Sequence, residues 1–190
     1  MKLRSILKKI VCHLPLLALC GGSLAMCQVA PAAASGSGLN AFVSFGGLRT
    51  HVIDFTYNAL GVEGGLYIQP KPYFGLEARA ATYPMYARYT QMPVTTGYRA
   101  EVRVRREFLV SGYAGGGMSV AQDGGHHYVP TEAQWDPCFQ LSQSTSINMM
   151  GRLRWNVYSV TFTQTYTPIR TLQGVSVTTG VVYTLSRSRR

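Results

Sequence analysis

From residue 39 onward, apolar side chains recur at every second position over stretches of roughly ten residues, the spacing of an extended strand with one oily face rather than of an amphipathic helix. Eight such stretches follow one another. Leu39 to Thr50 sets Ala41, Val43 and Phe45 against Asn40, Ser44 and Gly46, and Ala59 to Gln69 sets Leu60, Val62, Leu66 and Ile68 against Gly61, Glu63, Gly65 and Gln69. Tyr73 to Tyr83 sets Phe74, Leu76, Ala78 and Ala80 against Gly75, Glu77, Arg79 and Ala81. Thr96 to Arg105 is the clearest, with Tyr98, Ala100, Val102 and Val104 alternating with Arg99, Glu101, Arg103 and Arg105. Phe108 to Val120, Ser144 to Trp155, Val157 to Thr167 and Gly174 to Leu185 complete the series. Gly115-Gly116-Gly117 removes three side chains from the fifth stretch, so a bend or a close backbone approach is expected there.

The links between stretches are read as alternately short and long. Pro70-Lys71-Pro72, Arg106-Glu107 and Asn156 make the short ones; the others are longer, and Ala121 to Gln143 is the longest, an external loop carrying His126, His127, Trp135 and Cys138. Short turns at one end and longer loops at the other are what an up-and-down barrel crossing an outer membrane shows. The predicted fold is therefore all-β, an eight-stranded antiparallel transmembrane barrel.

The start of the chain changes the picture by adding an export signal. Lys2, Arg4, Lys8 and Lys9 precede Ile10 to Met26, which carries no Lys, Arg, Asp or Glu, and the small-residue run Ala32-Ala33-Ala34 fits a cleavage rule with Ser35 as the first mature residue. Pro15 and Gly21-Gly22 argue against an uncleaved anchor, and bulky Leu19 and Met26 before Cys20 and Cys27 argue against a lipoprotein signal. The expected organisation is a signal peptide over 1–34 and one barrel domain over 35–190. Cleavage leaves Cys138 as the only cysteine, with no internal disulfide, and leaves 14 basic against 8 acidic residues. Export makes nucleic acid an unsuitable partner for that positive balance, so none is expected.

Which face carries the charge decides between a membrane barrel and a secreted soluble one. The polar faces combine Gly, Ser and Thr with charges of both signs: Glu63, Glu77, Arg79, Arg99, Glu101, Arg103, Arg152 and Arg154. These are expected to form an ion-pair network inside the barrel, since unpaired enclosed charge is costly. The competing reading puts them on the wet outside of a soluble sheet. Aromatic residues near stretch ends, such as Tyr73, Tyr98, Phe108, Trp155 and Tyr183, favour the membrane, where they would form interfacial girdles.

Phe42-Val43-Ser44-Phe45-Gly46-Gly47, the hairpin from Gly64 to Arg79 and the closing Gly180-Val181-Val182-Tyr183-Thr184-Leu185 resemble the small OmpA-like and OmpX-like eight-stranded outer-membrane barrels. The resemblance covers essentially all of 35–190. It implies lipid as the partner of the oily face and recognition by the barrel-assembly machinery through Val181, Tyr183 and Leu185. The sequence departs from the family by continuing beyond Leu185 with Ser186-Arg187-Ser188-Arg189-Arg190 instead of ending on an aromatic.

Candidate chemistry is sparse. His126 and His127, with Asp123, Glu132, Asp136 and Cys138 nearby, are poorly spaced for a metal, because adjacent side chains diverge in extended chain. His51 near a strand end is the one candidate for acyl transfer on lipid. No metal, cofactor or catalytic residue is expected. The expected role is a charge-plugged, non-enzymatic outer-membrane protein in envelope structure or surface adhesion, with a small-solute pore or a lipid-A-modifying enzyme as the alternatives.

Overall fold

The computed structural model describes residues 38–186 apart from 53–54, 72, 86–88, 124–133 and 169–170. The export signal with its cleavage after Ala34, and His126 and His127, lie outside the described residues. Eight antiparallel strands follow one another and close into a barrel: β1 (Leu39–Val52), β2 (Phe55–Lys71), β3 (Phe74–Met85), β4 (Tyr89–Arg103), β5 (Phe108–Asp123), β6 (Trp135–Met150), β7 (Leu153–Tyr166) and β8 (Thr171–Thr184). β1 pairs with β8 from Asn40↔Thr184 to His51↔Gln173, so no sheet edge is left open.

Side chains alternate as the period of two requires, and the polar set points inward. Ser44, Glu63, Glu77, Arg99, Glu101, Ser111, Thr161 and Ser176 are buried, whereas Val43, Phe45, Leu60, Leu66, Leu76, Tyr98, Leu141 and Val177 are exposed, Leu60 to 77%. This polarity is the reverse of a water-soluble barrel. One small apolar cluster, Leu48, Ala59, Ala81, Tyr83 and Leu172, fills the interior on the β1–β3 and β8 side, toward the end away from the termini.

Three expectations about the links change. Val52 pairs with Phe55, so the first hairpin closes over residues 53–54, and only 86–88 and 167–170 separate the next pairs at that end. Only the β5–β6 link, 124–134, is long. Trp135 and Cys138, expected in that loop, lie in β6, which begins nine residues before the expected stretch at Ser144. Pro137 disguised this: proline cannot donate to a ladder and reads as a strand boundary, yet here it faces Met118 of β5 within the sheet. Pro93 does the same in β4, leaving a gap in the β3 ladder between Ala80↔Val94 and Tyr83↔Gln91.

The β6–β7 reversal lies at Gly151-Arg152, where Gly151 has a φ of 58°, and not at Asn156. That conformation costs glycine nothing and a side-chain-bearing residue more. Asn156 instead begins a bulge inside β7: it faces Gly180 on β8, while Ser159 already faces Thr178. Both errors have one cause. The two-residue turn and the irregularity beside it (Asn148/Met150) together keep Ile147, Met149, Leu153 and Trp155 in phase, so alternation runs through the chain reversal unbroken. The bulge breaks phase within a continuous strand, setting Trp155 and Tyr158 three positions apart with both exposed.

Candidate functional site

The most organised group of side chains is a ladder of charges across the interior, in the half nearer the termini. Each member sits at an inward position of its strand, and antiparallel register brings those positions level. Glu63 comes from β2, Glu77 and Arg79 from β3, Arg99 and Glu101 from β4, and Arg154 from β7. Arg79 Nη1 lies 2.8 Å from Glu63 Oε1, and its Nε donates to Glu77 Oε1 at 2.6 Å, with Nη2 on the same oxygen. Arg99 Nη1 reaches Glu77 Oε2 at 2.7 Å, while its Nη2 reaches Glu101 Oε2 at 3.3 Å and Ser111 Oγ at 2.7 Å. Arg154 Nη1 ends the run on both Glu101 oxygens, at 3.0 and 3.1 Å.

Three glutamates and three arginines thus alternate as Glu63, Arg79, Glu77, Arg99, Glu101 and Arg154, with formal charge cancelling. Cancellation matters because these groups have little solvent: Glu77 is 1% exposed. Enclosed ions persist only when paired and hydrogen-bonded. Aromatic faces supply the rest of the solvation. The Arg79 guanidinium lies 3.9 Å from the centre of the Tyr113 ring, and that of Arg99 lies 4.1 Å from the centre of Tyr67. Tyr67 Oη also accepts from Arg154 Nη2, which shares Asn40 Oδ1 at 3.3 Å.

The alternation of strand two marks the inward place of Tyr67 two residues before Gln69; an aromatic on a polar face carries no obvious sequence signal of binding a cation. Phe42, 5.7 Å from Arg79, is a second inward aromatic of this kind.

Of the eight charges expected inside, six form this ladder. Arg103 is half-buried at the end of β4 and makes no ion pair among the described residues. Arg152 belongs to the β6–β7 turn, exposed, with Nη1 donating to Leu185 O at 3.4 Å; it was counted inward because the turn does not interrupt the alternation. Trp135 is exposed on the outer face at the opposite end. Val181, Tyr183 and Leu185 are exposed in one row along β8 and just past it.

Above the ladder, on the β4–β7 side, amides and hydroxyls line the interior. Tyr113 Oη donates to Thr95 Oγ1 at 2.9 Å, Thr95 to Gln140 Oε1 at 2.7 Å, and Gln140 Nε2 to Thr163 Oγ1 at 3.0 Å, joining β5, β4, β6 and β7. At the ladder itself the cavity lined by Glu63, Tyr67, Arg79, Arg99, Ser144 and Asn156 measures about 20 Å³, enough for roughly one water.

Cys138 is interior and buried, facing Gly117 and Thr165 across the sheet. A bulky maleimide is therefore expected to label it at least about 100-fold more slowly in the folded barrel than in urea, since attack requires an exposed thiolate. Equal rates by mass spectrometry would contradict this placement.

No protein-family model and no curated protein matches the chain. Solved structures do. Neisserial surface protein A superposes with a TM-score of 0.68 at 6% sequence identity, over 80% of this chain and 100% of that one. Ail, the attachment invasion locus protein of Yersinia pestis, solved with the heparin analogue sucrose octasulfate, gives 0.53 at 11% identity over 77% and 99%. The outer membrane protein OprG from Pseudomonas aeruginosa gives 0.53 at 10% identity over 78% and 96%. The fold is thus that of the small eight-stranded outer-membrane barrels.

Proposed function

We propose that this chain is a bacterial outer-membrane barrel whose interior is shut by the charge ladder and which serves envelope structure or surface attachment without catalysing a reaction. The observation that carries the reading is the inverted polarity: aliphatic and aromatic side chains such as Phe45, Leu60, Val62, Leu66 and Val177 cover the outside while glutamates and arginines lie within. Water disfavours that outer surface by roughly 25 cal/mol per Å² of apolar area, whereas lipid accepts it. A closed ladder also satisfies the strand backbone internally, which a lipid interior demands. Strands of 12 to 17 residues exceed the roughly 9–11 needed to cross a bilayer at a tilt.

The cavity of about 20 Å³ beside the ladder and the ion pairs across it support a plug over a pore. The β5–β6 link and the attachment role named for Ail support a surface contact at the end away from the termini. Assembly into the membrane would use the outward row Val181, Tyr183 and Leu185. Expressed with its leader in a Gram-negative host, the protein is expected in the outer-membrane fraction, to run faster on gels unheated than boiled, and to give no steady current in planar bilayers. Recovery as a soluble periplasmic protein would overturn the membrane reading; a large steady conductance would overturn the plug.

A further inference from the structure

Beyond the ladder, charge is distributed very unevenly between the two ends. The end bearing the termini has Lys71, Arg103, Arg105, Arg106 and Arg152 in its strand ends and turns, against Glu107 alone. The strand ends and links of the other end carry, by sequence, Arg49, Arg88 and Arg170 against Asp54, Asp123, Glu132 and Asp136. With the ladder neutral, the positive balance therefore belongs to the terminal end. Among the described residues none of its five cations pairs with a carboxylate, and Lys71, Arg105, Arg106 and Arg152 are exposed.

The turns holding these cations are also oily. Lys71 is followed by exposed Tyr73 and Phe74, Arg105 and Arg106 lie between exposed Val104 and Phe108, and Arg152 follows Met149 and Met150, the latter 83% exposed. The arginine turn is tied down: Phe108 N donates to Arg105 O at 3.2 Å, and Asn148 of β6 donates from N to Glu107 O at 2.9 Å and from Nδ2 to Arg106 O at 3.3 Å. A water-phase anion such as an acidic polymer would match the charge and leave the apolar residues unexplained. The boundary of a phospholipid leaflet matches both, with apolar side chains among the acyl chains and cations level with phosphates.

We propose that the rim at the terminal end is a docking surface for anionic phospholipid headgroups, held by Lys71, Arg105, Arg106 and Arg152. This rests on the membrane reading above.

The two tryptophans of the chain report the two ends separately, since Trp155 is exposed near the start of β7 at the terminal end and Trp135 is exposed at the start of β6 at the other. Trp135→Phe leaves Trp155 as the probe, and Trp155→Phe leaves Trp135. Each full-length variant is folded into phosphatidylcholine vesicles containing brominated phosphatidylglycerol or brominated phosphatidylcholine, and fluorescence quenching gives the relative affinity for the two lipids. At Trp155 the anionic lipid is expected to be preferred roughly fivefold or more at low salt. The preference should shrink in high salt and fall by about half or more in Arg105→Gln/Arg106→Gln/Arg152→Gln, which keeps Lys71; Trp135 should show none. Heat-modifiable migration checks that the triple variant is closed. Equal quenching by both lipids at Trp155, or an undiminished preference in the triple variant, overturns the proposal and turns attention to an aqueous anion. Absence of quenching by either lipid at either tryptophan overturns the membrane reading itself.

Discussion

Replacing Glu77 with Gln is expected to lower the unfolding free energy by about 3–5 kcal/mol, the range for breaking an enclosed ion pair by removing one partner. Glu77 stands at the middle of the ladder, one oxygen on Arg79 at 2.6 Å and the other on Arg99 at 2.7 Å. The amide keeps the shape but not the charge, and its NH2 group would face a guanidinium donor where a carboxylate oxygen accepts. Three arginines would then share two glutamates beside a cavity with room for about one water. The measurement is the urea midpoint in detergent micelles or vesicles, with tryptophan fluorescence as the probe. Arg152→Gln is the control: an exposed guanidinium in a turn should change stability by no more than about 0.5 kcal/mol. Were both variants to unfold at the parent midpoint, the ladder would not be what holds the interior together.

The second large effect is expected at Gly97, where Ala should cost roughly 1–3 kcal/mol or more. A Cβ built on Gly97 overlaps Ala114 O and Gly115 Cα, all of it backbone of β5, so no side chain can swing away. β4 and β5 would have to part at the place where Tyr113 folds over Gly115 and stacks on Arg79. The damage would therefore reach the ladder through Tyr113. Gly112→Ala on the neighbouring strand β5 is the comparison, because its nearest neighbour, Ser142 O, lies 3.9 Å away, an ordinary contact. Gly112→Ala should be neutral or slightly stabilising, since it restricts the unfolded chain. Indistinguishable midpoints for the two alanine variants would show that the close approach at Gly97 does not bear on stability.

Much of the fold is legible in the order of residues alone. The alternation in β4 from Tyr98 to Arg103 gives both its extended form and its two faces, because in a strand phase alone decides which side a residue occupies. The same phase placed Glu63, Glu77, Arg79, Arg99, Glu101 and Arg154 on one side of the sheet. The close approach expected at Gly115-Gly116-Gly117 is present at Gly115 and Gly117, whose added Cβ atoms would overlap neighbouring atoms. Two segments expected as links are partly strand: Pro93, between the third and fourth expected stretches, lies in β4, and Pro137, in the expected external loop, lies in β6.

Alternation is written into the chain residue by residue, and with it a sheet that has one oily and one charged side. It could not place reversals, because a period of two records side but not direction; the turn at Gly151-Arg152 was silent while the bulge after Asn156 was conspicuous. Tertiary structure alone decided which glutamate meets which arginine. Register across β2, β3, β4 and β7 is a property of strands paired far apart in sequence, and Arg154 reaches Glu101 only once the barrel has closed around them. The physical reason is that facing is set by each residue's own backbone, whereas partnership is set by closure, which no single strand contains.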